Sequence, residues 1–117
     1  MSLEPLSDAA FEALIDDALD TLPDEVAAQL RNVVFLVEPY NQEIPTLLGR
    51  YEGVPLTQRT ADYSGFLPDV IYIYKETLEN YATTPADLAH QVYVTVMHEI
   101  GHYFGLDEDD LHRLGYH

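Results

Sequence analysis

The residues best suited to chemistry in this chain form the segment His98-Glu99-Ile100-Gly101-His102. Two histidines four residues apart lie on the same face of a helix, so both imidazoles can bind one metal ion. The glutamate beside the first histidine can take a proton from a water molecule that the metal activates. The pattern therefore predicts a metal site with Glu99 as its catalytic base.

The segment from about residue 85 to 104 has the signals of the helix that this pattern needs. Thr84 is a suitable N-cap, Pro85 fits the first turn, and Asp87 places a carboxylate in that turn. Gly105 ends the helix because glycine readily adopts a left-handed conformation. Apolar residues at helical spacing predict the face toward the core: Leu88, Val92, Val96 and Ile100. Both motif histidines are expected on a different, partly polar face.

A metal held by two histidines needs at least one further protein ligand, because zinc sites usually have four ligands and a catalytic site keeps one for water. The chain has no cysteine, so the third ligand must be His, Asp or Glu. A turn at Gly105 can bring Asp107, Glu108 or Asp109 back toward the histidines. His112 is a fourth candidate if a short helix follows. The residues alone leave these four open.

The segment HEIGHYFGLDE resembles the HExxHxxGxx(H/D) signature of zincin metallopeptidases. More closely, the chain is similar to the small bacterial zincin-like metallopeptidases, the minimal zincins. The likeness extends through LLGRYEGVPLTQRTADYSGFLPDVIYIYKETLE upstream and DLHRLGY downstream. The resemblance implies zinc ligands at His98 and His102, the base at Glu99, and a third ligand at Glu108, where the family usually has aspartate. It also implies a compact α+β protein with the motif on a C-terminal helix.

The rest of the chain agrees with a small α+β fold in one domain, residues 1–117. We expect a mixed sheet of three to four strands packed against helices, with the metal-binding helix near the C-terminus. The continuous apolar run at 33–37 predicts a buried strand. Turn signals occur at Asp62, Ser64 and Gly65, and the terminal His117 is expected to be disordered. The other predicted elements are helices at about 7–22, 23–31 and 75–81 and strands at 46–52 and 69–74.

The composition limits the partners. There are 21 acidic and 5 basic residues, a net charge of −16 with neutral histidines. Such a surface repels phosphate backbones, so we expect no nucleic-acid binding, whereas basic peptides or cations would be attracted. No run of about eighteen apolar residues occurs, so no membrane span is expected. The N-terminal segment lacks the pattern of a secretory signal, and we therefore expect a cytoplasmic protein. The oligomeric state does not follow from these observations.

Two functions from different classes fit the sequence. The preferred one is a zinc-dependent peptidase that uses one Zn²⁺ ion and Glu99 to hydrolyse a peptide or protein substrate. Its substrate could pair with an exposed edge strand near 46–52, and Tyr103 or Tyr116 could stabilise an oxyanion. The alternative is a non-catalytic zinc-binding or acidic interaction module. A structural histidine pair, hydrogen-bonded to neighbouring acids, is the competing interpretation of His98 and His102.

Overall fold

The computed structural model describes residues 3–30, 32–60 and 67–116. The turn signals at Asp62, Ser64 and Gly65, the predicted helix end near residue 31, and His117 lie outside these ranges. Within them, no helix is long and apolar enough to cross a membrane. The elements in chain order are α1 (Asp8–Leu19), α2 (Asp24–Ala27), β1 (Val33–Glu38), β2 (Gly49–Glu52), β3 (Asp69–Tyr74), α3 (Lys75–Tyr81), α4 (Pro85–Tyr103) and α5 (Glu108–Leu114).

The strands form one mixed sheet in the order β1-β3-β2. The first strand pairs in parallel with β3, with Val33 opposite Asp69, and β2 pairs antiparallel with β3, with Gly49 opposite Ile73. Three described strands packed against helices confirm the predicted α+β class. The predicted strand at 46–52 is shorter than expected, because the Leu47 N–H donates to the Ile44 carbonyl in a turn that precedes the pairing.

Residues 33–37 form a strand as predicted, but the expectation that this strand is buried was wrong. Half-buried and exposed residues alternate along β1, and Val34 and Leu36 are 39% and 41% exposed. The strand lies at an edge of the sheet, and the helices cover only one face there, so every second side chain faces solvent. An apolar run by itself does not distinguish a strand covered on both faces from one covered on a single face.

Helix α4 is the element that places the motif, and its predicted signals are confirmed. The Thr84 hydroxyl accepts a hydrogen bond from the Asp87 N–H at 3.0 Å, and Pro85 is in the first turn. The predicted stripe Leu88, Val92, Val96 and Ile100 is buried in the core, together with Ile71 and Ile73 of β3 and Phe11 and Ile15 of α1. This packing fixes the rotation of α4 about its axis, so its other face is directed toward β2 and α5.

Candidate metal centre

Three potential ligand atoms converge at the C-terminal end of α4. The Nε2 atoms of His98 and His102 are 3.1 Å apart, and Glu108 Oε1 lies 3.3 Å from the first and 2.8 Å from the second. Ligand atoms around tetrahedral zinc, each 2.0–2.1 Å from the metal, are separated by about 3.3 Å. The spacing and chemistry of these three atoms therefore fit one metal ion such as zinc. Three protein ligands leave the fourth tetrahedral position of zinc to water.

Two backbone carbonyls orient the histidines. His98 Nδ1 contacts the Tyr116 carbonyl oxygen, and His102 Nδ1 lies 3.1 Å from the Leu106 carbonyl oxygen. A carbonyl only accepts, so each Nδ1 carries the hydrogen and donates it. Each Nε2 is then directed toward Glu108 as an acceptor, the tautomer that metal-binding histidines adopt. A cation shared by these three acceptors would satisfy all of them at once, which favours a metal site over a purely structural histidine pair.

Glycines at two positions permit helix α5 to approach the histidines. A Cβ atom at Gly101 would overlap the Cδ2 methyl of Leu111, which is fully buried. Gly105 has a φ of +93°, and a Cβ atom there would clash with the Thr57 side chain. The chain can therefore reverse after α4 and pack α5 directly on its last turn. Glu108 is the first residue of α5, so this packing determines where its carboxylate lies.

Glu99 is buried beside the ligand cluster. Its side chain is 8% exposed, and Glu99 Oε2 lies 3.9 Å from His98 Nε2. Burial raises the pKa of the Glu99 carboxyl, while the two histidines and a hydrogen bond from the Tyr51 backbone lower the pKa by less. Strand β2 can approach α4 this closely because Gly49 has no Cβ atom. A Cβ atom at this position would lie only 2.7 Å from Thr95 Cγ2 and 3.3 Å from Glu99 Cγ.

The cluster opens into a cleft between β2, α4 and α5. This cavity has a volume of about 640 Å³, and its wall includes both histidines, Glu99 and Glu108. Tyr51 and Gly49 of β2 form the opposite side. The cleft therefore gives access to the ligand cluster and to Glu99 at the same time.

The family model described as zincin-like metallopeptidase matches residues 30–116. The chain belongs to the zincin-like metallopeptidase family. The solved structure of a conserved hypothetical protein from Thermo thermophilus is similar, with a TM-score of 0.59, 23% identity, and 83% of this chain and 92% of that chain covered. That similarity shows the fold alone. No curated protein matches the chain.

In this zincin-like chain the rival third ligands lie outside the cluster. The Asp107 carboxylate caps α5 by accepting the Asp110 N–H at 2.8 Å, and this hydrogen bond lowers the pKa of Asp107. Asp109 and His112 are exposed on α5. Of the four candidates, the structure brings only Glu108 to the histidines, at the position that the family resemblance implies.

The two tyrosines predicted as oxyanion partners have other roles. The Tyr103 hydroxyl donates to the Gln29 carbonyl at 2.7 Å, and Tyr103 is not part of the cleft wall. Tyr116 contacts His98 through its main-chain carbonyl, and a hydrogen bond with Tyr93 raises the pKa of the Tyr116 hydroxyl.

Sequence reasoning missed Gly101 and the carbonyls of Leu106 and Tyr116. The family pattern does not specify Gly101, and main-chain carbonyls have no residue-type signature.

Proposed function

We propose that this protein is a zinc-dependent peptidase in which His98, His102 and Glu108 hold one Zn²⁺ ion and Glu99 is the general base. The convergence of three ligand atoms within 3.3 Å, beside a buried carboxylate in a cleft, is the observation that carries the proposal. When bound, zinc supplies a Lewis acid and lowers the pKa of water to about 7.

The surroundings of Glu99 suit a residue that moves protons. Its carboxylate is removed from bulk water and lies 3.9 Å from His98 Nε2, within reach of a water molecule held at the ligand cluster. The Tyr51 backbone holds the carboxylate on the cleft side of α4. Glu99 can thus accept the proton of an attacking water molecule and later deliver it to the leaving amine.

Strand β2 is suited to hold the substrate backbone. It lies at the edge of the described sheet, and Gly49, Arg50 and Tyr51 line the cleft. An extended peptide can add to such an edge through main-chain hydrogen bonds, which recognise peptides with little regard to sequence. The net charge of −16 supports basic peptides over nucleic acids as partners.

The proposal is tested by cleavage of a peptide library with zinc-loaded protein. We expect Glu99→Gln to retain zinc and lose hydrolysis by at least about a hundredfold. Glu12→Gln, which changes an exposed acid of α1 in the same way, should leave both unchanged. His98→Ala should lose zinc together with activity, and a chelator should abolish cleavage by the unmodified protein.

The alternative, a non-catalytic zinc-binding module, gives a different result in the same assay. Such a protein would bind zinc tightly, show the same loss of metal in His98→Ala, and cleave no member of the library. Full activity in Glu99→Gln would exclude Glu99 as the base, and unchanged zinc content in His98→Ala would exclude ligation by His98.

A further inference from the structure

One buried carboxylate lies outside the metal centre and has no part in the proposed reaction. Asp69, the first residue of β3, is 3% exposed. Its Oδ2 atom accepts a hydrogen bond from the Tyr51 hydroxyl at 2.6 Å and one from Arg59 Nη2 at 2.7 Å. Arg59 Nε in turn donates to the Val54 carbonyl at 2.8 Å. The carboxylate therefore joins β3 to β2 and to the segment that follows β2, and we call these three side chains, Tyr51, Asp69 and Arg59, the Asp69 cluster.

The surroundings leave the Asp69 cluster little freedom to move. A Cβ atom at Gly53 would lie 2.4 Å from Asp69 Cγ, so the absence of a side chain there lets the main chain pass this close. The guanidinium carbon of Arg59 lies 5.4 Å from the centre of the Tyr103 ring. That ring packs edge-on against the Tyr51 ring, with 6.0 Å between the centroids. Tyr51 is thus held both at its ring and at its hydroxyl.

The register of the sheet explains why Asp69 reaches Tyr51. Tyr51 is opposite Ile71, so Asp69, two residues before Ile71, is the diagonal neighbour of Tyr51 on the same face. Strand β2 has four residues and pairs with β3 alone among the described strands. A short strand at an edge is prone to fray. The hydrogen bond from the Tyr51 hydroxyl therefore holds β2 close to the point where it leaves the sheet.

The main chain of Tyr51 contacts the residue that we propose as the base. The Tyr51 N–H, the one main-chain donor of that residue, donates a hydrogen bond to the Glu99 carboxylate. Packing agrees with this contact, since a Cβ atom at Gly49 would lie 3.3 Å from Glu99 Cγ. Asp69 does not line the cleft, whereas Tyr51 and Glu99 do. The route from Asp69 to the ligand cluster therefore passes through Tyr51.

We propose that Asp69, paired with Arg59, is a positioning residue that holds Tyr51 in place so that the Tyr51 N–H keeps the Glu99 carboxylate directed at the ligand cluster. The inference rests on the proposed function for the role of Glu99, but the hydrogen bond can be measured without any cleavage. A Glu99 carboxylate that is less well fixed would lower the rate of reaction more than the affinity for substrate. A cluster that only stabilises the fold would not separate these two quantities.

Replacement of Asp69 by alanine removes the acceptor that Tyr51 and Arg59 share. Kinetics with a fluorogenic peptide that the unmodified protein cleaves should show kcat lowered at least about tenfold, with KM and zinc content unchanged. Hydrogen exchange of the Tyr51 amide, followed by NMR on the zinc-loaded protein, should become at least about tenfold faster relative to the amides of β3. Unchanged relative exchange, or a kcat within about twofold of the unmodified value, would overturn the inference.

Glu79→Ala is the matched control. Glu79 is 5% exposed, pairs with Lys75 at 3.2 Å and accepts a hydrogen bond from the Leu6 N–H at 2.8 Å. It lies on α3 and is not part of the cleft wall. Its replacement should lower stability to urea as Asp69→Ala does, but leave kcat and the exchange of the Tyr51 amide unchanged. An equal loss of kcat in Glu79→Ala would indicate general destabilisation and contradict the positioning role.

Tyr51→Phe provides a milder test that does not depend on the folding of Asp69→Ala. It removes only the hydroxyl and leaves Asp69 paired with Arg59. The amide of residue 51 should again exchange faster relative to the amides of β3, because the end of β2 has lost its tether. Unchanged exchange in this variant would refute the route through the Tyr51 hydroxyl.

The two proposals fail in different ways. Faster exchange of the Tyr51 amide in Asp69→Ala, with no cleavage of any peptide by the unmodified protein, would refute the peptidase and support the positioning hydrogen bond. Cleavage by the unmodified protein, with neither kcat nor exchange altered in Asp69→Ala, would support the peptidase and refute the positioning role.

Discussion

Replacement of Gly101 by alanine tests whether packing of α5 on α4 builds the metal site. The added Cβ atom would lie 2.3 Å from the Leu111 Cδ2 methyl, which is about 1.5 Å closer than an ordinary carbon–carbon contact. Leu111 is fully buried, so its side chain cannot turn away into solvent, and we expect α5 to shift. Glu108 is the first residue of α5 and would move with that helix. The two histidines would stay in place, so the carboxylate would move away from them.

Stability and zinc affinity should respond differently to Gly101→Ala. Overpacking costs about 1–3 kcal/mol, whereas alanine in a helix regains roughly 1 kcal/mol relative to glycine. The net change in the free energy of unfolding is therefore small, between about 0 and 2 kcal/mol. A carboxylate displaced by about 1 Å from its ligand position should weaken zinc binding about tenfold to a hundredfold.

Zinc affinity is measured by competition with a chromophoric chelator, and stability by urea unfolding of the metal-free protein. Leu111→Val is the matched second substitution, since it removes the overlapping methyl at a cost of about 1 kcal/mol. The double variant should recover most of the zinc affinity that Gly101→Ala loses. An unchanged zinc dissociation constant in Gly101→Ala, or no recovery in the double variant, would refute the reasoning.

Three further predictions follow from the same structure. Glu108→Gln should weaken zinc binding at least about tenfold, whereas the exposed neighbour Asp109→Asn should not; elemental analysis after gel filtration compares them. Gly49→Ala should retain zinc but lower kcat, because its Cβ atom would press on Glu99 across the β2–α4 contact; zinc retention with full activity would contradict this. Burial and a hydrogen bond to Asp69 raise the pKa of Tyr51 above its ordinary value of about 10. The unfolded chain then loses this proton first, so the free energy of unfolding should fall as the pH rises above about 10, and urea titrations at pH 8 and 11 should show a smaller fall in Tyr51→Phe.

The features that could be predicted from residue types and spacing lie within single helical turns. The spacing of His98 and His102 places both rings on one side of α4 because the helical period is a property of the backbone. Thr84 and Pro85 define the start of that helix for a similarly local reason, since an N-cap satisfies amide groups only two or three residues away. The resemblance to a family added Glu108 as the implied third ligand, but the spacing of acids alone left four candidates.

Features that depend on contacts between elements could be recognised only in the folded chain. The apolar run of β1 gave no sign that one of its faces is open to solvent, because that depends on which helices cover the sheet. Glu108 reaches the histidines only because Gly101 admits Leu111, while Asp107 is engaged as the cap of α5. The carbonyls of Leu106 and Tyr116 orient the rings only after the chain has reversed at Gly105 and Gly115. Such contacts arise from packing at close range, and no periodicity along the chain encodes them.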